Sequence, residues 1–568
     1  MYLTIGVTAH RDLVATEIPV LESRVRGFLQ GLQARFPDLE LELLSPLAAG
    51  GDQLVARVAL DLGVSLIAVL PMAQSEYERD FESSEELRRF RGLIDAAGRV
   101  VELPLHDGSE LTPDATAASI RDRQYAQAGV FISNHCQVLL ALWDGHELPL
   151  VGGTAQVIRY HLSAVMEGFE APDTSAHLLA DSENDLACHI VCSRDRPKGE
   201  PAAGLKPMEQ YWITSQHGRL PGADMPAEYA IMLDRLQAFE RDRARLEAAD
   251  LEGRGLLDDE LPGAPPPESA RYVEALHVAA DRLALKYQKR VNRGLYGIHT
   301  LAILMGLVFI VYSEYPAPDF LVWIFLALFF AGVALHVAGD RREWHRKYLD
   351  YRALAEALRV QFYWNLAGVV EANSVAFAYE NFLQKQDVEL GWIRHVMRAA
   401  SLLRTRGEEA DPAWTGWVIE RWVGDTGSGG QLAYYSRKEV QNSNNYHRTE
   451  WLGRVCLWSG IGIAFILGLA SGVLSESQQA ILLVLMGMLP LIAGVRDTIS
   501  HKKAEKELIK QYRFMARIFT NARQLLRGST DLAFRRRVLK ALGEAALEEG
   551  AEWILMHRSR PLEHQGLS

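Results

Sequence analysis

LYGIHTLAILMGLVFIVYS, residues Leu295–Ser313, contains no Asp, Glu, Lys or Arg. At about 1.5 Å rise per residue, a helix of about 20 residues spans a hydrocarbon core of roughly 30 Å. Three further uncharged runs of similar length follow: Phe320–Gly339, Val455–Leu474 and Ser477–Val495. A buried helix in a soluble core is the other reading of one such run. Four of them, in two matched pairs, are hard to bury that way. The expectation is four transmembrane helices in two hairpins.

The first pair is joined by Glu314–Asp319, where Pro316 and Pro318 break the helix. The second is joined by Glu476 and its neighbours. These loops carry acids and no Lys or Arg, whereas the opposite ends are basic. Lys286, Lys289, Arg290 and Arg293 precede the first run, and Arg341, Arg342, Arg346 and Lys347 follow the second. Arg448 and Arg454 precede the third, and Arg496, Lys502, Lys503 and Lys506 follow the fourth. Positive flanks stay in the cytoplasm. This predicts a multi-pass protein of the inner (cytoplasmic) membrane with both termini cytoplasmic.

No run holds an ionisable group near its midpoint, which argues against an ion-coupled pump. His299 and His336 lie near run ends and read as interfacial. Gly468 and Gly472 form a G-x-x-x-G, read as packing within the hairpin or as an oligomer contact. Lys347–Arg359 after the first pair and Lys510–Arg517 after the second both place Tyr-Arg before an apolar stripe (Tyr351-Arg352 and Tyr512-Arg513). Leu354, Leu358, Phe362 and Leu366 have helical spacing. A helix–hairpin–helix unit used twice is expected, with Tyr351 and Arg352 stapling a cytoplasmic bundle or transmitting a signal. Val538–Leu562 reads as an amphipathic helix with a basic tail from His557 to Pro561.

The remainder of the 568 residues is polar, and the mean hydropathy of -0.05 averages over both kinds of sequence. Lys and Arg number 60 against 72 Asp and Glu, a net charge of -12, which excludes a general nucleic-acid binder. Four cysteines cannot build a disulfide scaffold. Met1–Gly6 reads as a buried strand and not as a signal peptide.

Residues 1 to about 200 alternate apolar strands with helical patterns. Strands are expected at Leu3–Val7, Leu39–Leu44, Leu66–Pro71 and Val138–Asp144, with helices at Ile18–Arg35 and Asp52–Leu62. Near-continuous apolar strands between helices predict a Rossmann-like α/β domain, a parallel sheet with helices on both faces. Ligands of such sheets bind beyond the carboxyl ends of the strands. Three strand-end loops are candidates: Gly6-x-Thr8-x-His10-Arg11, Gly50-Gly51-Asp52-Gln53 and Gly152-Gly153-Thr154. The glycine pairs expose backbone N–H groups ahead of helices whose N-termini favour an anion. Thr8 and Thr154 can donate hydroxyl hydrogen bonds, Arg11 can clamp a phosphate, and Asp52 and Asp144 can accept ribose hydroxyls. A nucleotide-type ligand fits this set, although glycine pairs also mark ordinary turns.

The runs Gly6–Leu13, Gly50–Ala56, Leu70-Pro71 with Tyr77, Asp80 and Phe81, and Ala141–Gly145 with Gly152-Gly153-Thr154 resemble the SLOG superfamily. That superfamily is a Rossmann-like group that includes LOG-type phosphoribohydrolases and DprA-like proteins. The membrane part, through Tyr351–Glu356 and the ending with Trp553, His557, Arg558, Arg560 and Pro561, looks like SLATT-type two-span effectors associated with SLOG sensors. The resemblance covers roughly 1–165 and 270–560. It implies a bacterial conflict-defence protein in which the sensor binds a nucleotide-derived signal and the membrane part perturbs the bilayer. By position, Gly6, Thr8, His10, Arg11, Gly50, Gly51, Asp52 and Gln53 would line the pocket, and Gly152, Gly153 and Thr154 would hold phosphate. LOG-type hydrolases carry a Glu after their glycine motif where this chain has Gln156, and its motif is one glycine shorter. A neutral amide cannot serve as an acid–base group, so binding without turnover is favoured and no catalytic residue is assigned.

Cys188 and Cys192 lie too far apart on a strand to share an ion, Cys136 and Cys456 sit elsewhere, and a zinc site needs about four ligands. No metal or cofactor is expected. Cys136 reads as a small buried residue, and Ser133 with His135 does not make a nucleophile–base pair by spacing alone. Residues 168–182 and 195–225 read as loops around a strand pair, Ala187–Ser193 and Glu209–Thr214. The expected organisation is a sensing domain at 1–250, a Pro-rich linker at 251–270, and hairpin units at 271–440 and 441–568. The partners expected are a nucleotide-derived ligand, the bilayer and further copies of the chain. The alternatives are a membrane-tethered N-glycoside hydrolase, drawing its acid from Asp52, Asp80 or Asp144, and a nucleotide-gated channel.

Overall fold

The computed structural model describes residues 1–105, 117–148, 150–169, 185–222, 224–247, 255–257, 261–262, 265–314, 319–369, 388–402, 411–427, 429–470 and 472–558. Most of the loop read at 168–182, much of the linker, the Pro316–Pro318 turn and the tail at Arg560-Pro561 lie outside them. The chain forms two units. The first is 1–246 with 266–273 and 370–409; the second is 247–265, 274–369 and 410–568.

The first unit is built on one eight-stranded sheet: β1 (Tyr2–Ala9), β2 (Glu40–Ser45), β3 (Ser65–Leu70), β4 (Arg99–Glu102), β5 (Val138–Trp143), β6 (Ala187–Val191), β7 (Gln210–Thr214) and β8 (Gly218–Pro221). The strand order is β4-β3-β2-β1-β5-β6-β7-β8. The first six in that order run parallel, as their apolar runs imply, and all six residues of β5 are buried, so both its faces are covered. The expected parallel sheet is extended at one edge, where β7 and β8 add as an antiparallel hairpin. Gln210–Thr214 returns to β6 through a loop with no crossover helix, and a short return permits only antiparallel pairing.

The helices are α1 (Ile18–Arg35), α2 (Gly51–Asp61), α3 (Gln74–Tyr77), α4 (Ser84–Ala96), α5 (Ala117–His135), α6 (Thr154–Ser163) and α7 (Ala227–Ala244). Strands β1 to β4 advance one way from β1, and β5 and β6 advance the other way. Right-handed crossovers therefore put α5 and α6 on the face opposite α1 and α2. The order reverses between β1 and β5, and a crevice opens at their carboxyl ends.

Residues 388–402 also belong to this unit, although chain order alone had joined them to the first membrane hairpin. The Trp392 ring lies 5.6 Å from that of Phe239, tilted by 38°, and His395 approaches Met232 Sδ at 3.2 Å.

The second unit is helical. It contains α8 (Glu268–Glu314, its first residues grouped with the first unit), α9 (Phe320–Arg341) and α10 (Trp344–Ala367). After the short α11 (Gly391–Ser401) of the first unit come α12 (Pro412–Val418), α13 (Gly430–Ala470), α14 (Glu476–Lys502), α15 (Glu505–Gly528) and α16 (Leu532–Arg558). Four helical stretches are long and apolar enough to cross a membrane, and their apolar windows are at most 6% buried within the chain. Trp323, Phe330, Trp458 and Phe465 are each more than 60% exposed. Such surface is stable only against lipid or another apolar partner.

The repeat is visible in the backbone. Glu343 and Ala504, both in the left-handed region at φ 52° and 50°, break the chain after α9 and α14. Each break opens a 24-residue helix, and Tyr351-Arg352 and Tyr512-Arg513 fall at the same distance past their breaks. Helix α10 is the spine of the bundle, with Leu354, Leu358, Phe362 and Trp364 fully buried. Gly543 on α16 admits the Trp364 ring, which lies 2.4 Å from where a Cβ would stand, and Trp364 Nε1 donates to the Leu539 carbonyl at 3.0 Å. Tyr351 packs edge-on to Tyr287, and Arg352 lies 3.0 Å from Glu356 Oε1 and over the Trp553 ring, so both staple the bundle.

The G-x-x-x-G does not pack the hairpin. A Cβ on Gly468 or Gly472 would meet nothing within 4 Å. The close approach is instead at Gly460, 2.9 Å from Pro490 Cδ by the same measure. The proline ring in α14 needs a facing residue with no side chain, and Gly460 supplies it.

Candidate functional site

A cleft of about 370 Å³ opens at the β1/β5 reversal. Thr8, His10, Arg11, Asp52, Gly152, Gly153 and Thr154, seven of the residues singled out in the sequence, line it together. Asp12, Tyr77, Asp122, Tyr125, His146 and Arg194 complete its polar wall.

Strand β1 delivers Thr8 and His10. Arg11 follows, exposed, with its guanidinium 5.1 Å from the centre of the Tyr125 ring. It makes no ion pair with a carboxylate among the described residues. Arg194, by contrast, is held by Asp12 at 2.8 Å. Tyr77 donates its hydroxyl to the Pro46 carbonyl at 3.0 Å, and the Tyr125 hydroxyl donates to Asp80. Asp80 is thereby occupied behind the wall, with Arg121 at 3.4 Å.

Asp52 sits in the first turn of α2, 3% exposed, and its Oδ1 has no hydrogen-bond partner. Burial raises its pKa from 3.8 to about 8, against the opposing pull of Arg11 and of the Ala48 and Ala9 backbone. Its carboxyl is therefore mostly neutral at pH 7 and can donate a hydrogen bond into the cleft.

Asp144 does not line the cleft. It lies fully buried behind His10, with Oδ1 3.1 Å from His10 Nε2 and accepting the His146 N–H at 3.0 Å. Burial works against its charge, but the His10 and His146 hydrogen bonds hold its pKa below the ordinary value. Its effect is to orient the His10 ring.

Gly6, Gly50, Gly51 and Gln53 also stand outside the lining. Gly6 gives room to Ile132 of α5 and to Cys136 just past its end. At Gly50, φ is +84°, and a Cβ would stand 2.0 Å from the Arg11 carbonyl oxygen. The Gly51 N–H donates to the His10 carbonyl at 3.0 Å. This glycine pair therefore clamps the His10-Arg11 loop against α2. Gln53 Nε2 donates to the Leu47 carbonyl at 3.3 Å and holds the loop that precedes α2.

The other glycine pair lies on the cleft wall. Gly152, at φ +73°, passes so near α5 that a Cβ would stand 2.8 Å from Tyr125 Cβ. Gly153 caps α6, and Thr154 and Ala155 in the first turn of that helix are on the cleft wall. First-turn N–H groups have no partner within the helix and carry its positive dipole end. Gln156 is buried and its Nε2 donates to the Glu167 carbonyl at 3.3 Å, away from the cleft.

Tyr125, Asp122, His146 and Arg194 escaped the sequence reading. Tyr125 and Asp122 lie on a helix with no motif, and Arg194 falls between the strand expected at Ala187–Ser193 and the loop expected at 195–225. The one signal that could have found any of them is strand-end placement, because His146 follows β5 and Arg194 follows β6.

The remaining candidates are structural. Cys188 on β6 and Cys192 just past its end are both buried, and burial pushes both thiols up. Cys136 is pushed up to about 12 by burial. Ser133 pairs with His161, not with His135, at 2.9 Å from Nδ1, but both are buried away from the cleft. Among the described residues no His, Cys, Asp and Glu group is arranged to hold a metal ion.

No protein-family model matches the chain, and no curated protein is similar to it.

Proposed function

We propose that this chain is a membrane effector whose cleft binds a phosphorylated, nucleotide-derived ligand and whose hairpins then perturb the bilayer. It would act at the inner membrane with cytoplasmic termini and as an oligomer, in the manner of the SLOG–SLATT resemblance and its defence role. The observation that carries this reading is the convergence on one cleft of an Arg without a carboxylate partner, the first turn of α6 and a neutral Asp52. The first two suit phosphate, and the third suits a ribose hydroxyl or base acceptor. The cleft volume, about 370 Å³, suits a mononucleotide-sized ligand.

Binding without turnover is favoured because Gln156 has no ionisable proton and its amide is turned to the Glu167 carbonyl, outside the cleft lining. One observation favours the hydrolase alternative: Asp52 has the raised pKa of a general acid.

The test uses the full chain in dye-loaded vesicles with a panel of linear and cyclic nucleotides and ADP-ribose derivatives. A ligand that triggers leakage and is recovered intact supports the effector. A ligand consumed with free base released makes the chain an enzyme and its hairpins an anchor. A panel in which no compound binds removes the nucleotide reading.

A further inference from the structure

On α13, two faces differ sharply. Tyr446, Gly453 and Gly460, one heptad apart, form the seam with α14. Arg496 donates to the Tyr446 carbonyl at 3.4 Å and lies over its ring, a Cβ on Gly453 would stand 3.5 Å from Arg496 Cδ, and Gly460 faces Pro490. At 3.6 residues per turn, Arg448, Trp451, Val455 and Trp458 fall on the opposite face. Trp451 is 66% exposed and Trp458 68%.

A shallow groove of about 530 Å³ lies at the N-terminal end of this outer face, lined by His447, Arg448, Trp451 and Leu452, with Thr449, which accepts from Arg496 at 3.1 Å, at its seam edge; Val455 and Trp458 continue the face beyond it. Arg448 is exposed and has no ion-pair partner among the described residues. The nearest acid in sequence, Glu450, is held by Arg454 at 2.9 Å. The groove lies where α13 changes from charged sequence to the uncharged run beginning at Val455.

We infer that this groove binds an anionic phospholipid, with the phosphate at Arg448 and an acyl chain along Trp451, Val455 and Trp458. A cation at the water boundary, tryptophan at headgroup depth and an apolar stripe descending about 15 Å match the three parts of such a lipid. The charge selects this occupant over a second copy of the chain, because a symmetric contact through this face would bring Arg448 against Arg448. The proposal rests on α13 and α14 forming a membrane hairpin.

The test reconstitutes the full chain in vesicles containing dibrominated phosphatidylglycerol or dibrominated phosphatidylcholine. The Trp451 signal is the difference between wild type and Trp451→Phe. Half-maximal quenching is expected at an approximately fivefold lower mole fraction of the anionic lipid, and Arg448→Gln should abolish that preference. Equal half-points in the wild type, or a preference surviving in Arg448→Gln, overturn the proposal. Protection of Trp451 from both lipids in a vesicle-bound chain puts a protein contact in the groove and also overturns it. Failure of the chain to float with vesicles refutes the membrane reading itself.

Discussion

Replacing Asp52 with Asn should stabilise the first unit, and by an amount that grows with pH. The folded carboxyl titrates near 8 and the unfolded one near 3.8, so the native state binds the extra proton in between. Stability from a carboxyl whose pKa rises on folding is full below the unfolded value and is lost as pH climbs through the folded one. The slope is about 1.4 kcal/mol per pH unit, so the wild type loses up to about 3 kcal/mol relative to Asp52→Asn between pH 5 and 7. The loss levels off above pH 8. Asn keeps the size of Asp and can still accept the Ala9 and Ala48 backbone hydrogen bonds, so packing contributes little to the difference. For a unit of this size, about 3 kcal/mol corresponds to roughly 5 °C in midpoint. The assay is thermal unfolding of both full-length chains in detergent at pH 5, 6, 7 and 8. Hydrogen exchange of peptides from β1 and α2 assigns the transition to the first unit. Every other titrating group is common to both chains and cancels in the difference. A gap that stays constant with pH, or narrows as pH rises, refutes a neutral Asp52.

Arg11→Ala should weaken nucleotide binding about 10- to 100-fold, the value of a charge-assisted hydrogen bond, while vesicle flotation stays unchanged. Unchanged affinity by calorimetry would remove Arg11 from the site. Gly50→Ala, outside the cleft, should weaken the same binding, because its methyl would collide with the Arg11 carbonyl at a positive φ. Nucleotide affinity equal to wild type would show that the clamp on the Arg11 loop is dispensable. In the membrane hairpin, Gly460→Leu should destabilise by about 1–3 kcal/mol against Pro490, whereas Gly468→Leu should be neutral for the monomer. Detergent melting of the two variants checks the contrast, and equal losses would contradict the seam.

Periodicity and charge alone determined much of this protein. The uncharged runs at Leu295–Ser313 and their three counterparts are signals of length and composition, so they needed no tertiary information. The alternation from β1 to β5 was legible for the same reason, since a strand buried on both faces must be apolar throughout. Strand-end placement then named Thr8, His10, Arg11, Asp52 and the Gly152–Thr154 loop as neighbours. What the letters could not carry was which atoms face the cleft and which support it. Gly50 and Gly51 look like an anion loop in sequence, but the fold brings the Arg11 backbone onto them and takes up their space and the Gly51 N–H. Asp52 and Asp144 are equivalent as letters. Burial without a partner for Oδ1 neutralises the first, while His10 and the His146 N–H keep the second charged behind the wall. The antiparallel edge, the outward-facing Gly468 and the role of Gly460 likewise depend on what each residue meets across the chain, which only long-range packing decides.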